Sequence, residues 1–155
     1  MALLAKVITV SDGVVEGVRA DRSGDAIEQH LAAAGFDVVE RILTADGSEA
    51  VADTLRTACS GFAGLVVTTG GTGFGPRDLT PEGTRAVIER EAPGLAEAMR
   101  LVSPLGRLSR AVAGSVGEAL VLNTPGSTQG SLETLDAVLD VIPHALELLA
   151  GGHPH

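Results

Sequence analysis

This chain of 155 residues has no tryptophan, no tyrosine and three phenylalanines, a single cysteine, and one lysine beside ten arginines. Each scarcity excludes a class of function. With 20 acids against 11 bases and a formal charge of -9, the chain lacks the clustered basic surface that nucleic-acid binding needs, and it has few rings on which bases could stack. No nucleic-acid partner is expected. A lone cysteine, Cys59, makes neither an internal disulfide nor a thiolate metal cluster, a usage that fits a reducing, cytoplasmic setting, and it reads as a small buried apolar side chain. No apolar run approaches the roughly 20 residues of a membrane span, so no membrane partner is expected. The apolar segment Leu3 to Val10 has its one base, Lys6, in the middle and no small-residue cleavage site after it, so it reads as a strand and not a secretory signal. HExxH, CxxC and GxSxG are all absent, and His30 and His144 lie at helical spacing among apolar neighbours, as packing residues would. Nucleophilic catalysis by Ser, Cys or His is not expected.

What is present is a globular composition, 45% hydrophobic and 20% charged, at a length that suits one domain. The domain is expected over residues 1–150, with residues 151–155 as a disordered tail. Short β-branched runs alternate with amphipathic stretches, the pattern of an α/β fold with a mostly parallel central sheet. Strands are expected at 5–10, 36–43 and 64–69, with paired strands in 112–117 and 118–123. Helices are expected from Ser23 to Ala34, from a Ser48 cap to Cys59, and from a Thr80 cap through Pro81 to Glu91. A short helix over 95–101 and a long one over 130–150, bent near Pro143, complete the set. Five of the nine net negative charges fall in residues 111–155, which contain no Lys or Arg.

In open α/β sheets, ligands bind beyond the carboxyl ends of the strands. Four loops at such ends are built from small and acidic residues: Ser11-Asp12-Gly13, Ala45-Asp46-Gly47, Gly70 to Thr80, and Asn123 to Ser127. Gly70, Gly71 and Gly73 expose backbone N–H groups able to wrap anionic oxygens, beside the positive end of the helix beginning at Pro81. The spacing matches neither a Walker A loop nor the dinucleotide fingerprint. The same glycines suit plain tight turns equally well, and the residues alone leave both readings open. Asp12, Asp46, Asp78 and Arg77 form a set able to hold Mg²⁺ and phosphate, although each Asp singly also suits a loop or cap.

The segment Thr69 to Thr84, TGGTGFGPRDLTPEGT, resembles the signature of the Mog/MoaB family, the molybdopterin adenylyltransferases of molybdenum-cofactor synthesis. The resemblance extends in order through VSDG (10–13), DRSG (21–24), LTADG (43–47), LSRAVAG (108–114) and LVLNTPGS (120–127). It implies a three-layer α/β/α fold, a homotrimer, and transfer of AMP from ATP, with Mg²⁺, to the terminal phosphate of molybdopterin. A hand-over of product to a molybdenum-insertion enzyme is also implied. By the resemblance Asp46 and Asp78 are the catalytic, metal-binding pair. Thr69, Gly70, Gly71, Thr72, Gly73, Arg77, Ser109 and Arg110 bind the pterin substrate, while Ser11, Asp12, Pro125, Gly126 and Ser127 line the nucleotide pocket. Two positions depart from the family pattern. Gln129 stands near where a lysine usually follows PGS, and residues 11–13 read Ser-Asp-Gly where a third side chain is common. The alternative implied is a catalytically silent paralogue that binds molybdopterin as a scaffold or carrier.

Overall fold

A computed structural model of the chain describes residues 2–152. Six strands form one sheet in the order β2-β1-β3-β6-β5-β4. β1 (Leu4–Val10), β2 (Asp37–Thr44), β3 (Gly64–Thr69) and β6 (Ala119–Thr124) run parallel. β5 (Ala113–Val116) is antiparallel to β6, and the two-residue β4 (Arg90–Glu91) closes the edge against β5. β3 and β6 are buried at every residue, which explains their unbroken apolar and Thr-rich runs: both faces are covered by helices.

On one face, α2 (Arg22–Ala33), α5 (Pro93–Arg100), α6 (Thr128–Asp136) and α7 (Ile142–Leu149) pack Ile27, Leu31, Met99, Leu135 and Ile142 onto Val7, Leu65, Val67 and Leu122. On the other, α3 (Ser48–Cys59) sets Val51 and Leu55 against Ile8, Val66 and Val121, and α4 (Thr80–Arg85) packs beside it through Gly83. The result is the three-layer α/β/α arrangement expected from the sequence, in a single domain. Fully burying each Leu, Ile or Val contributes roughly 1.5–3 kcal/mol, so a core of this extent holds together with few aromatic rings, Phe36 being the one buried among the described residues. Cys59 is a buried free thiol. Among the described residues no helix is long and apolar enough to cross a membrane.

Several boundaries differ from expectation for identifiable reasons. Asp21, not Ser23, caps α2, its carboxylate accepting from the Gly24 N–H at 3.1 Å. Ser48 is the first residue of α3, and the cap position falls to Gly47, whose φ of 113° favours glycine. Thr80 does not cap α4, because its hydroxyl donates to the Gly70 carbonyl at 2.9 Å. α4 ends at Arg85, well short of Glu91, since the Glu89 N–H bonds the Ser115 carbonyl and Arg90–Glu91 join the sheet. Pro93 opens α5, and the expected long final helix is two: Pro143 lacks the N–H that a continuous helix requires and sits instead in the first turn of α7. A four-residue helix, α1 (Asp12–Val15), occupies part of the loop after β1. Gly151, at φ 87°, and Gly152 finish α7 with N–H bonds to the Leu148 and Glu147 carbonyls, a Schellman ending. Of the expected disordered tail, His153 to His155 lie outside the described residues.

Candidate functional site

The register of the parallel strands sets Thr44 beside Val10, Thr9 beside Thr69, and Thr69 beside Thr124. The loops after β1, β2, β3 and β6 therefore leave the sheet in one row and face one another across a cleft of about 930 Å³. Polar side chains just beneath are satisfied by the backbone and by one another. Thr69 Oγ1 donates to the Pro125 carbonyl at 2.8 Å and Thr124 Oγ1 to the Thr68 carbonyl at 2.9 Å. Fully buried Asn123 donates to the hydroxyls of Thr68 and Thr84, each at 3.0 Å, and accepts from the Val112 N–H at 3.0 Å. This network ties the strand ends together, so the floor of the cleft is rigid.

The glycine loop has a specific shape. Gly70 and Gly71 adopt φ of 105° and 70°, and a Cβ at Gly70 would fall against the Val10 carbonyl, one at Gly71 against the Thr80 hydroxyl. No other residue type suits either position. Downstream, Asp78 Oδ2 accepts from the Gly75 N–H at 2.9 Å, closing a turn that holds the carboxylate at the cleft.

Asp46 is held differently. The Asp12 N–H donates to its Oδ2 at 3.0 Å, while its own N–H donates to Asp12 Oδ1 at 3.1 Å. Burial pushes the Asp46 carboxyl above the usual range, opposed by the Asp12 N–H and reinforced by the negative charges of Asp12 and Asp78. Asp12 is shifted the opposite way, held low by its hydrogen bonds from Arg77. Asp46, at the cleft beside Asp78 and in surroundings that disfavour its own charge, suits a site that recruits a cation.

Asp46, Asp78, Ser11, Thr69, Gly70, Gly71, Thr72, Gly73, Ser109, Pro125, Gly126 and Ser127 all line the cleft. Asp12, Arg77 and Arg110 do not. Arg77 Nε and Nη2 donate to the Asp12 carboxylate at 2.6 and 3.1 Å, and Nη2 also reaches the Asp46 carbonyl at 3.0 Å. Arg110 donates through Nε to the Gly73 carbonyl, through Nη1 to Glu82 and through Nη2 to the Asp78 carbonyl. Arg110 thus buttresses the glycine-rich loop from outside, while Arg77 ties that loop to the loops after β1 and β2. Gln129 donates to Glu133 at 2.8 Å, one turn along α6.

The cleft also contains residues that the loop pattern does not single out. Arg19, Asp21, Arg22 and Ser23 form one end, and Val18, Leu105 and Leu108 are exposed apolar walls at 80%, 74% and 56% accessibility. The DRSG segment is the one sequence signal that points to the first group. Exposed Val18 and Leu105 carry no such signal, since single apolar surface residues are common.

A divalent ion fits only with help from a ligand. Among the described residues no group of three metal-ligating side chains comes together, but Asp46 and Asp78 line the same cleft. Mg²⁺ is commonly held by one or two carboxylates with waters and substrate phosphates completing the shell, and these two aspartates match that requirement.

The sequence profile of the family described as "probable molybdopterin binding domain" matches residues 6–144. A molybdopterin adenylyltransferase of Helicobacter pylori strain J99 is 36% identical, aligned over 95% of this chain and 88% of that protein. One from Escherichia coli K12 is 34% identical over 94% and 84%. The crystal structure of the molybdopterin biosynthesis enzyme MoaB from Thermus thermophilus superposes with a TM-score of 0.89 at 45% identity, covering 96% of this chain and 97% of that one. The molybdopterin biosynthesis Mog protein of Mycobacterium ulcerans gives 0.89 at 38% identity, over 97% and 99%. With the fold, the strand-end cleft and these relatives in agreement, the chain belongs to the molybdopterin binding domain family that includes the bacterial molybdopterin adenylyltransferases.

Proposed function

We propose that this protein is a molybdopterin adenylyltransferase acting in molybdenum-cofactor biosynthesis. It transfers AMP from ATP to the terminal phosphate of molybdopterin. An oxygen of that phosphate bonds to the α-phosphorus of ATP, the bond from the α-phosphorus to the bridging oxygen breaks, and pyrophosphate leaves with the electron pair. The observation that carries this reading is the convergence of the Asp46 and Asp78 carboxylates with the Gly70-Gly71 turn at one cleft that contains no Ser, Cys or His nucleophile motif. The attacking phosphate is already ionised near neutral pH, so no side chain is needed to generate a nucleophile. The work left to the protein is alignment of two anions and neutralisation of charge.

In this reading the Gly70 to Gly73 backbone and Thr69, Thr72 and Ser109 seat the pterin side, and Ser11 with Pro125, Gly126 and Ser127 seats the nucleotide. Asp12, Arg77 and Arg110 act from behind, holding Asp46 and the glycine loop in place. Asp46 and Asp78 would hold Mg²⁺, which when bound would offset charge on the phosphates. The working assembly is a homotrimer in the cytoplasm, with product passed to a molybdenum-insertion enzyme. Sedimentation tests the trimer: a monomer across micromolar concentrations contradicts it.

A second reading, a silent molybdopterin-binding paralogue, is favoured by one observation: Gln129 is uncharged and turned to Glu133, so the cation usual near that place is missing. Incubation with molybdopterin, labelled ATP and Mg²⁺ separates the two. Release of pyrophosphate selects the enzyme, and retained molybdopterin without pyrophosphate selects the carrier.

A further inference from the structure

We propose that Arg19 and Arg22 form a phosphoryl-binding rim at the α2 end of the cleft and supply the cationic charge that Arg77, Arg110 and Gln129 do not. The inference rests on the adenylyltransferase reading, in which the cleft receives a triphosphate and a phosphate monoester together. Such a load needs positive charge within reach. Among the described residues the charged side chains lining the cleft are Arg19, Asp21, Arg22, Asp46 and Asp78. Among the described residues its two cations are therefore Arg19 and Arg22.

The neighbouring acid does not neutralise them. The Asp21 carboxylate accepts from Arg41, from the Thr9 hydroxyl at 2.9 Å and from the Gly24 N–H at 3.1 Å, so its oxygens are turned into the protein. Arg41 reaches across from β2 and also pairs with Asp25 and Glu28. Arg19 and Arg22, by contrast, are exposed, and among the described residues neither guanidinium makes a hydrogen bond or ion pair. Their backbones are nevertheless fixed. The Arg19 N–H bonds the Gly13 carbonyl at 3.1 Å, and Arg22 is the first residue of α2, directly after its Asp21 cap. Two planar guanidiniums on anchored backbone, facing a cleft and without protein partners, match the bidentate chemistry of a phosphoryl group.

That group could belong to ATP or to molybdopterin, and binding measurements distinguish the two. Affinities for ATP, inorganic pyrophosphate and molybdopterin are measured separately for the wild type, an Arg19→Ala/Arg22→Ala variant and an Arg19→Lys/Arg22→Lys variant, at low and high salt. The double alanine variant is expected to keep the wild-type melting temperature and to lose roughly tenfold affinity per guanidinium for at least one ligand. Its salt dependence should flatten, and the lysine variant should recover part of the loss. A loss confined to ATP and pyrophosphate assigns the rim to the triphosphate, and one confined to molybdopterin assigns it to the pterin phosphate; both support the proposal. Unchanged affinity for all three ligands in the double alanine variant, with wild-type binding intact, overturns the rim alone. A wild-type protein that binds neither ATP nor molybdopterin overturns the adenylyltransferase reading, and the rim falls with it.

Discussion

Asp12 and Asp46 clasp each other through a reciprocal pair of backbone-to-carboxylate hydrogen bonds, 3.0 and 3.1 Å long, that lock the loop after β1 to the loop after β2. Arg77, from the loop after β3, completes the clasp by binding the Asp12 carboxylate and the Asp46 carbonyl. Three strand-end loops are thus held by one small network. Its consequence is that Asp46 keeps a fixed position although its environment disfavours its charge.

Asp46→Asn should therefore separate stability from function. Burial raises the folded-state value of the Asp46 carboxyl, so the protonated form stabilises the fold below the ordinary carboxyl value, and that contribution is lost as pH rises through the raised value. At pH 7 the ionised carboxylate is a liability that a neutral amide relieves, while the amide oxygen still accepts from the Asp12 N–H. Thermal unfolding at pH 7 should show a melting temperature equal to or above wild type, with adenylylation reduced by about 10²-fold or more. A clear loss of stability would contradict this description of the clasp.

Gly71→Ala should cost both stability and activity. A left-handed φ of 70° costs a residue with a side chain roughly 1–3 kcal/mol, and the added methyl also meets the Thr80 hydroxyl. Denaturant melts should show this loss, and the activity of the folded fraction should fall as well because Thr80 anchors the Gly70 carbonyl.

Cys59 reports on pH from the other end of the scale. Burial pushes its thiol from 9.0 to about 11, with Lys6 opposing. The folded state favours the neutral thiol, so its contribution is complete below pH 9 and is lost as pH rises from about 9 towards 11. Wild-type stability should decline over that window, and the decline should be smaller in Cys59→Ala. Labelling by a thiol reagent at pH 8 should be slow in the folded protein and fast in denaturant.

Asn123→Ala tests the rigid floor. It would strand the buried Val112 N–H, whose unmet desolvation costs roughly 1–3 kcal/mol, and leave the Thr68 and Thr84 hydroxyls to rearrange. Amide hydrogen exchange should rise at the ends of β3 and β6 before it rises elsewhere.

How much of this is legible in the sequence depends on what each residue answers to. The buried strands show in their β-branched runs because both sheet faces are covered, and the cleft shows in the small and acidic residues after them. The caps are misread where a side chain has a better partner at a distance. Thr80 turns to Gly70, and Asp21, two residues before the expected helix start at Ser23, is the cap that also binds Thr9 and Arg41. Arg77 and Arg110 look like ligand cations because they sit in the motif, yet their partners come from residues 65 and 28 to 37 positions away. Only the fold brings those acceptors within reach. Arg22 is flagged only by the DRSG segment, and Arg19 is inconspicuous, since nothing in local spacing reveals that the chain leading into α2 lines the cleft.

Adenylyl transfer is most directly tested by the release of pyrophosphate on mixing the protein with molybdopterin, ATP and Mg²⁺, compared with Asp78→Asn. The Asn side chain can still accept from the Gly75 N–H, so the turn and the fold should survive. The wild type should give stoichiometric adenylyl-molybdopterin and pyrophosphate, and the variant a rate lower by about 10²–10³. No pyrophosphate from the wild type, or near-normal turnover by Asp78→Asn, would contradict the assignment.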